Sequence, residues 1–76
     1  MVNEQKKKYL KIIGERVAQF RKKKGFSQSQ LSDIVELDVM TISRIERGLL
    51  NISIVNAYNL SKALGITQKE LFDFDL

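Results

Sequence analysis

The side chains with the most chemical potential lie close together, between Gln28 and Arg47. Ser43 and Arg44 follow Val39 and Met40 at spacings of three and four, which places these four residues on one face of a helix. The guanidinium of Arg44 offers donors that pair bidentately with a guanine edge, or that contact a phosphate without choosing a base. The chemistry that this pattern indicates is recognition by hydrogen bonds and charge.

Catalysis and metal binding are disfavoured by what the chain lacks. It has no cysteine and no histidine, so disulfides, thiolate metal sites and the commonest general base are absent. Asp, Glu, Ser and Tyr are present, but they form no nucleophile–base pairing, and no glycine-rich phosphate loop accompanies them. We therefore expect no enzymatic activity, no metal and no cofactor.

Positive charge is concentrated at the start of the chain. Residues 1–24 carry nine basic and two acidic residues, net +7, whereas residues 25–76 carry four basic and seven acidic, net −3. The segregation favours an anionic partner such as nucleic acid, the alternative being a solubilising surface. The candidates for phosphate neutralisation are Lys22, Lys23, Lys24 and Arg47, with Lys6, Lys7, Lys8 and Lys11.

The chain lacks an apolar run near the ~18 residues of a membrane span, and its basic start is not followed by the apolar block of a signal peptide. We therefore expect a cytoplasmic protein with no membrane partner.

Helical periodicity runs through the whole sequence, with Gly25, Gly48 and Gly65 as its stops. The pattern predicts a single all-α domain over residues 1–76, with a basic helix over about 4–24, two short helices within 28–47, and helices over about 54–64 and 68–72. No segment reads as a strand. The residues expected to face inward are Leu10, Ile13, Val17, Phe20, Leu31, Ile34, Val35, Ile42, Ile45, Ala57, Leu60, Leu64, Leu71 and either Ile54 or Val55. The expected helix caps are Ser27, Asp38, Ser53 and Thr67, with Gln30 and Glu70 completing capping boxes at Ser27 and Thr67.

The two short helices have the pattern of a helix-turn-helix. Such a unit buries one face of each helix and leaves the second helix free for a DNA groove. Counted from Gln28, its fourth, eighth, tenth, fifteenth and eighteenth positions must be apolar, and its fifth must be small. These positions hold Leu31, Val35, Leu37, Ile42 and Ile45, with Ser32 as the small residue.

Residues 27–48, with 41–48 as the densest part, resemble the lambda-repressor-like, Cro-type helix-turn-helix family, and the resemblance extends over roughly residues 12–72. It implies a five-helix DNA-binding domain. Residues 51–54, which follow the Arg47–Gly48 turn, are similar to those of the controller proteins of restriction–modification systems, which are small homodimers.

The resemblance also implies roles for single residues. Base reading falls to Val39, Met40, Ser43 and Arg44, and core or dimer packing is the alternative for Val39 and Met40. Phosphate contact or positioning falls to Gln28, Thr41, Arg47, Lys22, Lys23 and Lys24, the lysine run being otherwise a solvated face. Arg21 and Glu46 are implied to form a structural ion pair between the first and third helices.

One departure from the family pattern lies in the turn. Its ninth position is often Gly, and here it is Glu36, which would cost roughly 1 kcal/mol in a left-handed conformation.

A surplus of apolar residues in the last third predicts a homodimer. The candidates for the dimer interface are Leu49, Leu50, Ile52, Val55, Tyr58, Phe74 and Leu76, with residues 73–76 as a dimerisation tail. A symmetric dimer presents two reading helices ~34 Å apart, one DNA turn.

The sequence thus predicts a homodimeric transcriptional regulator, a repressor or an activator, on a palindromic site of double-stranded DNA. The alternative is a protein-interaction module, such as an antitoxin or a phage regulatory protein, which the apolar Val39–Met40 pair keeps open.

Overall fold

The computed structural model describes residues 3–75, and all the regular secondary-structure elements in this range are helices. The predicted five-helix, all-α fold is confirmed. Leu76, assigned above to the dimer interface, lies outside the described residues. The helices are α1 (Asn3–Lys24), α2 (Gln28–Val35), α3 (Val39–Glu46), α4 (Ile54–Leu64) and α5 (Gln68–Leu71).

The long helix α1 is the element on which α3, α4 and α5 pack, and α2 packs on α3 and α4. It has 22 residues, about 33 Å at 1.5 Å per residue, and the longest dimension of the molecule is 34 Å. Glu4 in its first turn and the basic residues 21–24 in its last turn complement the helix dipole. Ile13 and Val17 are buried, and α3, α4 and α5 all contact this helix.

Three of the connections, residues 25–27, 36–38 and 65–67, are only three residues long, and local sequence determines their geometry. Ser27 Oγ accepts from the Gln30 N–H at 3.0 Å while Gln30 Oε1 accepts from the Ser27 N–H at 2.8 Å, a complete capping box. Thr67 and Glu70 repeat this arrangement before α5. Asp38 occupies the N-cap position of α3, but its side chain makes no cap hydrogen bond.

Glu36 has left-handed backbone angles, φ 59° and ψ 41°, in the turn between α2 and α3. The turn is closed by a 3.0 Å hydrogen bond from the Leu37 N–H to the Ser32 carbonyl. The Cβ of Glu36 makes this conformation cost about 1 kcal/mol, which the surrounding packing offsets.

The core lies between α1 and the other four helices. Four of the five apolar helix-turn-helix positions are buried, and Leu37 is half-buried against them. Gly14 allows α1 and α3 to approach closely, because a Cβ there would meet the carbonyl oxygens of Ile45 and Glu46, the latter at 2.7 Å. The core residues are Ile13, Val17, Leu31, Val35, Ile42, Ile45, Leu60, Leu64 and Leu71.

Two expectations for inward-facing residues are wrong. Ile34 is 51% exposed, because α2 buries its Leu31–Val35 edge and Ile34 lies to one side of that edge. Neither Ile54 nor Val55 is inward, at 86% and 66% exposed. No neighbouring helix covers the first turn of α4, so helical spacing alone gives those positions nothing to pack against.

Between residues 3 and 75 no helix combines the length and the apolar character needed to cross a bilayer.

Candidate nucleic-acid interface

The outward side of α3 is uncovered by the rest of the described chain. Ile42 and Ile45 are 0% and 1% exposed and anchor the helix, while Val39 and Met40 are 46% and 54% exposed. Arg44 is exposed and Ser43 half-buried. We call Val39, Met40, Ser43 and Arg44 the reading face; the structure brings these four residues together on one surface.

A buried hydrogen-bonded network holds α3 in place. Arg21 donates to Glu46 from Nε at 2.6 Å and from Nη2 at 3.0 Å, and from Nη1 to the Phe26 carbonyl at 2.8 Å. Gln28 Nε2 donates to Glu46 Oε1 at 3.0 Å. The carboxylate of Glu46 therefore joins the end of α1, the start of α2 and the end of α3.

The Arg21–Glu46 pair is shielded from solvent, with side chains 11% and 6% exposed. The hydrogen bonds that Arg21 donates to Glu46, together with the negative charge of Glu46, raise the pKa of Arg21, and this outweighs the lowering that burial causes. Arg21 therefore stays charged at any pH that the fold meets. Removing one partner of such a pair costs about 3–5 kcal/mol, because the other charge is left buried without compensation.

Gln28 and Thr41, both predicted to contact phosphate, are half-buried. The side-chain amide of Gln28 is already bonded to Glu46 through Nε2, so its first role in the free protein is to position α3. Thr41 lies on α3 between the buried Ile42 and the exposed Met40. Thr41 adjoins the reading face along α3, and Gln28 is joined to the end of α3 through Glu46.

The lysines at the end of α1 do not form a single group. Lys23 and Lys24 line a groove with residues 64–66 and Glu70, and no residue of α3 lines that groove. The Lys24 ammonium lies beside Gly65, where an added Cβ would come within 3.1 Å of Nζ. Consecutive helical residues point about 100° apart, so the lysines that follow Arg21 do not share its direction toward α3. The structure therefore separates Lys23 and Lys24 from the reading face and leaves Lys22 exposed.

Arg47 caps the C-terminus of α3, one turn beyond Ser43, and its Nε donates to the Ser43 carbonyl at 3.3 Å. Its side chain is exposed. Arg47 therefore extends the line of the reading face toward the connection between α3 and α4.

The predicted dimer-interface residues divide into two groups. Ile52 and Phe74 are half-buried within the chain, and the Phe74 ring packs 5.2 Å from that of Tyr9. These two were expected in the interface but pack against their own core. Phe74 does so because the chain after α5 turns back onto α1, and Ile52 because the α3–α4 connection lies beside Leu10 and Ile13 of α1. The second group, Leu49, Leu50, Val55 and Tyr58, is exposed. Together with Ile54, which is also exposed but was not predicted for the interface, these residues form what we call the apolar patch: Leu49, Leu50, Ile54, Val55 and Tyr58.

Arg16 has a structural role that the sequence interpretation missed. Its Nε donates to the Leu71 carbonyl at 2.9 Å, and its Nη2 donates to the Glu70 carbonyl. The guanidinium also lies over the rings of Phe20 and Phe74, 5.4 and 5.8 Å from their centroids. The signal was its spacing, because an arginine three residues after Ile13 and four before Phe20 falls on the inward stripe of α1.

No group of three or more acidic side chains gathers within reach of a metal ion in the part of the chain that the structure describes.

These features together define a helix-turn-helix protein of the lambda-repressor-like kind: two short helices joined by a tight turn, with the second exposed outward and held by a buried ion pair to the first helix. A helix-turn-helix family profile matches residues 17–72, well over half of the chain. The chain therefore belongs to the helix-turn-helix family, as the sequence predicted.

Individual relatives agree with this assignment. The chain is 42% identical over 64 residues to control protein C.BamHI of Bacillus amyloliquefaciens, covering 83% of this chain and 79% of the relative. The crystal structure of the restriction-modification controller protein C.AhdI from Aeromonas hydrophila superposes with a TM-score of 0.80 at 40% identity, covering 83% of this chain and 96% of that one. The biofilm regulator SinR, in complex with DNA, gives a TM-score of 0.76 at 37% identity, covering 80% and 98%.

Proposed function

We propose that this protein is a transcriptional regulator that binds double-stranded DNA sequence-specifically by placing α3 in the major groove. The observation that carries the proposal is the reading face: four side chains directed outward from a helix that Ile42 and Ile45 anchor in the core. A helix presented in this way enters a groove about 12 Å wide, where each base pair has its own pattern of donors and acceptors. We propose no enzymatic activity for this protein. We further propose that it acts in the cytoplasm, together with the DNA that it binds.

Each side chain of the reading face fits a particular contact. Arg44 pairs bidentately with a guanine, and Ser43 accepts or donates at a base edge. Val39 and Met40 have only apolar atoms to offer, so they pack on thymine methyl groups. Thr41, Arg47 and Lys22 contact phosphates on either side. The position of Gln28 at the start of α2 suits a phosphate contact made in addition to its bond to Glu46.

We further propose that the regulator is a homodimer, formed through the apolar patch, that binds an inverted repeat. A domain of this size buries only about 60% of the surface that its unfolded chain exposes, so a partner subunit adds to its stability. An exposed patch such as Leu49, Ile54 and Val55 commonly marks a subunit contact. Two of the relatives described above are restriction-modification control proteins, which supports a controller that acts on its own promoter and responds to its own concentration.

The test uses the DNA upstream of the gene that encodes the chain. Labelled fragments of this region are titrated with the protein at fixed salt, against a competitor of the same composition and scrambled order. We expect selective retardation and a footprint centred on an inverted repeat whose half-sites lie about one helical turn apart. Equal affinity for scrambled and native fragments would refute sequence-specific regulation.

A second candidate is a protein-interaction module, and the exposed Val39–Met40 pair is the observation that favours it. Two apolar side chains at the start of α3 would also suit a protein groove. In that case Val39→Ser with Met40→Ser would abolish binding of a protein partner, while the chain would show no preference among DNA fragments. Under the regulator proposal the same double variant loses discrimination at thymine-containing positions.

A further inference from the structure

The first half of α1 lies outside the part of the chain that the family profile matches, residues 17–72, and it is strongly basic. It nevertheless packs closely against the connection that follows α3. A Cβ added to Gly48 would come within 2.7 Å of the Lys11 Cα, so the two backbones are nearly in contact. The N-terminal turns of α1 are therefore held beside the end of α3.

A cleft of about 540 Å³ opens between these two segments. Three cationic side chains line it: Lys6 and Lys7 from α1 and Arg47 from the end of α3. Among the residues that the structure describes, none of the three has an acidic partner within 4 Å. Three like charges around one opening repel one another, and an anion placed between them removes that repulsion. The rest of the lining is Leu10, Gly48, Leu49 and Asn51.

The cleft begins next to the reading face, because Arg47, which lines the cleft, directly follows the last turn of α3. Arg47 is one helical turn beyond Ser43 and Arg44 on α3. The eight residues of α3 span about 12 Å, which corresponds to only three or four base pairs at 3.4 Å each. A duplex read by α3 therefore extends beyond the base pairs that the helix spans, and Arg47, Lys6 and Lys7 lie together at one end of that helix.

We propose that this cleft binds the phosphodiester backbone of the DNA that flanks the base pairs read by α3. The proposal rests on the DNA-binding function above and assigns Lys6 and Lys7 a phosphate contact that sets affinity and leaves base choice unchanged. Non-specific contacts of this kind release counterions, so each one steepens the salt dependence of binding by about 0.9 in the slope of log K against log salt.

The test compares two double variants that remove the same charge. Lys6→Gln with Lys7→Gln removes both cleft lysines. The control, Lys8→Gln with Lys69→Gln, removes one lysine from a neighbouring position of α1 and one from α5, neither of which lines the cleft. The DNA is the upstream inverted repeat that the protein retards and protects, which we call the operator. Binding to it is measured by fluorescence anisotropy over a range of salt concentrations. Thermal melting followed by circular dichroism checks that both variants fold.

We expect the cleft variant to bind about tenfold more weakly at ~0.1 M salt, with a salt slope shallower by about two, and to keep the wild-type ratio between operator and scrambled DNA. The control should change the slope by less than half as much. Trimming the operator from its ends, one base pair at a time, should bring wild type and cleft variant to the same affinity once the flanking phosphates are gone.

Equal slopes for the two double variants, or a difference that persists on the shortest operator, would overturn the cleft as a phosphate site while leaving the regulator proposal intact. If the wild-type chain shows no preference for any duplex, the regulator proposal fails and this inference fails with it.

Discussion

Glu46 is the residue on which the placement of the reading helix most depends. Its carboxylate accepts hydrogen bonds from Arg21 and from Gln28, so a single side chain fixes the relation between three helices. The resemblance to the helix-turn-helix family predicted the ion pair between Arg21 and Glu46. The bond from Gln28, 18 positions away in sequence, has no local signature and becomes visible only when the helices are in place.

We predict that Glu46→Ala lowers the free energy of unfolding by about 3–5 kcal/mol, because Arg21 is left charged and buried with only the Phe26 carbonyl as partner. Urea denaturation followed by circular dichroism measures this loss. Arg44→Ala, on the exposed side of the same helix, should change stability by less than about 0.5 kcal/mol. Equal stability of the two variants would show that the network does not hold α3.

We predict that Arg44→Ala costs about 1–3 kcal/mol of operator binding and relaxes the choice at one base pair, because the bidentate guanine contact is lost. Competition against operators substituted at each position identifies that base pair. Arg47→Ala serves as the comparison and should weaken binding to all duplexes alike, with a salt slope shallower by about one. If Arg44→Ala weakens all duplexes equally, Arg44 contacts only phosphate.

At the scale of elements, the helix-turn-helix turn is where sequence and conformation disagree. Glu36 adopts φ 59° although glutamate has no preference for the left-handed region. The turn forms because Leu31, Val35 and Ile42 on either side of it are buried together in the core.

We predict that Glu36→Gly raises the free energy of unfolding by up to about 1 kcal/mol, since glycine adopts a positive φ without the Cβ clash. Asp33→Gly, in the middle of α2 where the backbone is helical, should instead lower it by about 0.3 kcal/mol. The two variants are compared by chemical denaturation. A loss of stability in Glu36→Gly would mean that the glutamate side chain contributes more than its backbone strain costs.

The features of each helix that could be predicted are those that depend on residues close together in the sequence. Capping boxes at Ser27 and Thr67 involve residues only three apart, and both form as expected. The exposure of Ile34 and Ile54 was not predictable in the same way, because helical spacing identifies a stripe but not which part of that stripe a neighbour covers. Arg16 was missed for a related reason: its partners are carbonyl groups 54 and 55 residues away.

At the scale of the whole molecule, positive charge and apolar surface lie side by side. The basic half of α1 packs against the α3–α4 connection, and Leu49 of the apolar patch lines the same cleft as Lys6 and Lys7. This arrangement suits a protein that contacts an anionic polymer and a copy of itself on adjoining surfaces.

We predict that Val55→Lys shifts the protein from dimer toward its monomer mass of 8.8 kDa and weakens operator binding, because an ammonium placed in the apolar patch repels its counterpart. Analytical ultracentrifugation over a range of concentrations measures the shift. Ile34→Lys is the matched control, since Ile34 is also half-exposed but lies on α2 outside the patch. An unchanged mass for Val55→Lys would move the subunit contact elsewhere.

The three-residue connections described above also have a kinetic consequence. Helical proteins with short links fold within microseconds to milliseconds, because few distant contacts must form before the core closes. Subunit encounter at 10⁵–10⁷ M⁻¹ s⁻¹ is far slower at nanomolar abundance, where it takes roughly minutes or longer. Under the proposed dimeric mechanism, a newly synthesised chain reaches its native form almost at once and then waits for a second copy, so the delay before it acts on a gene depends on its abundance.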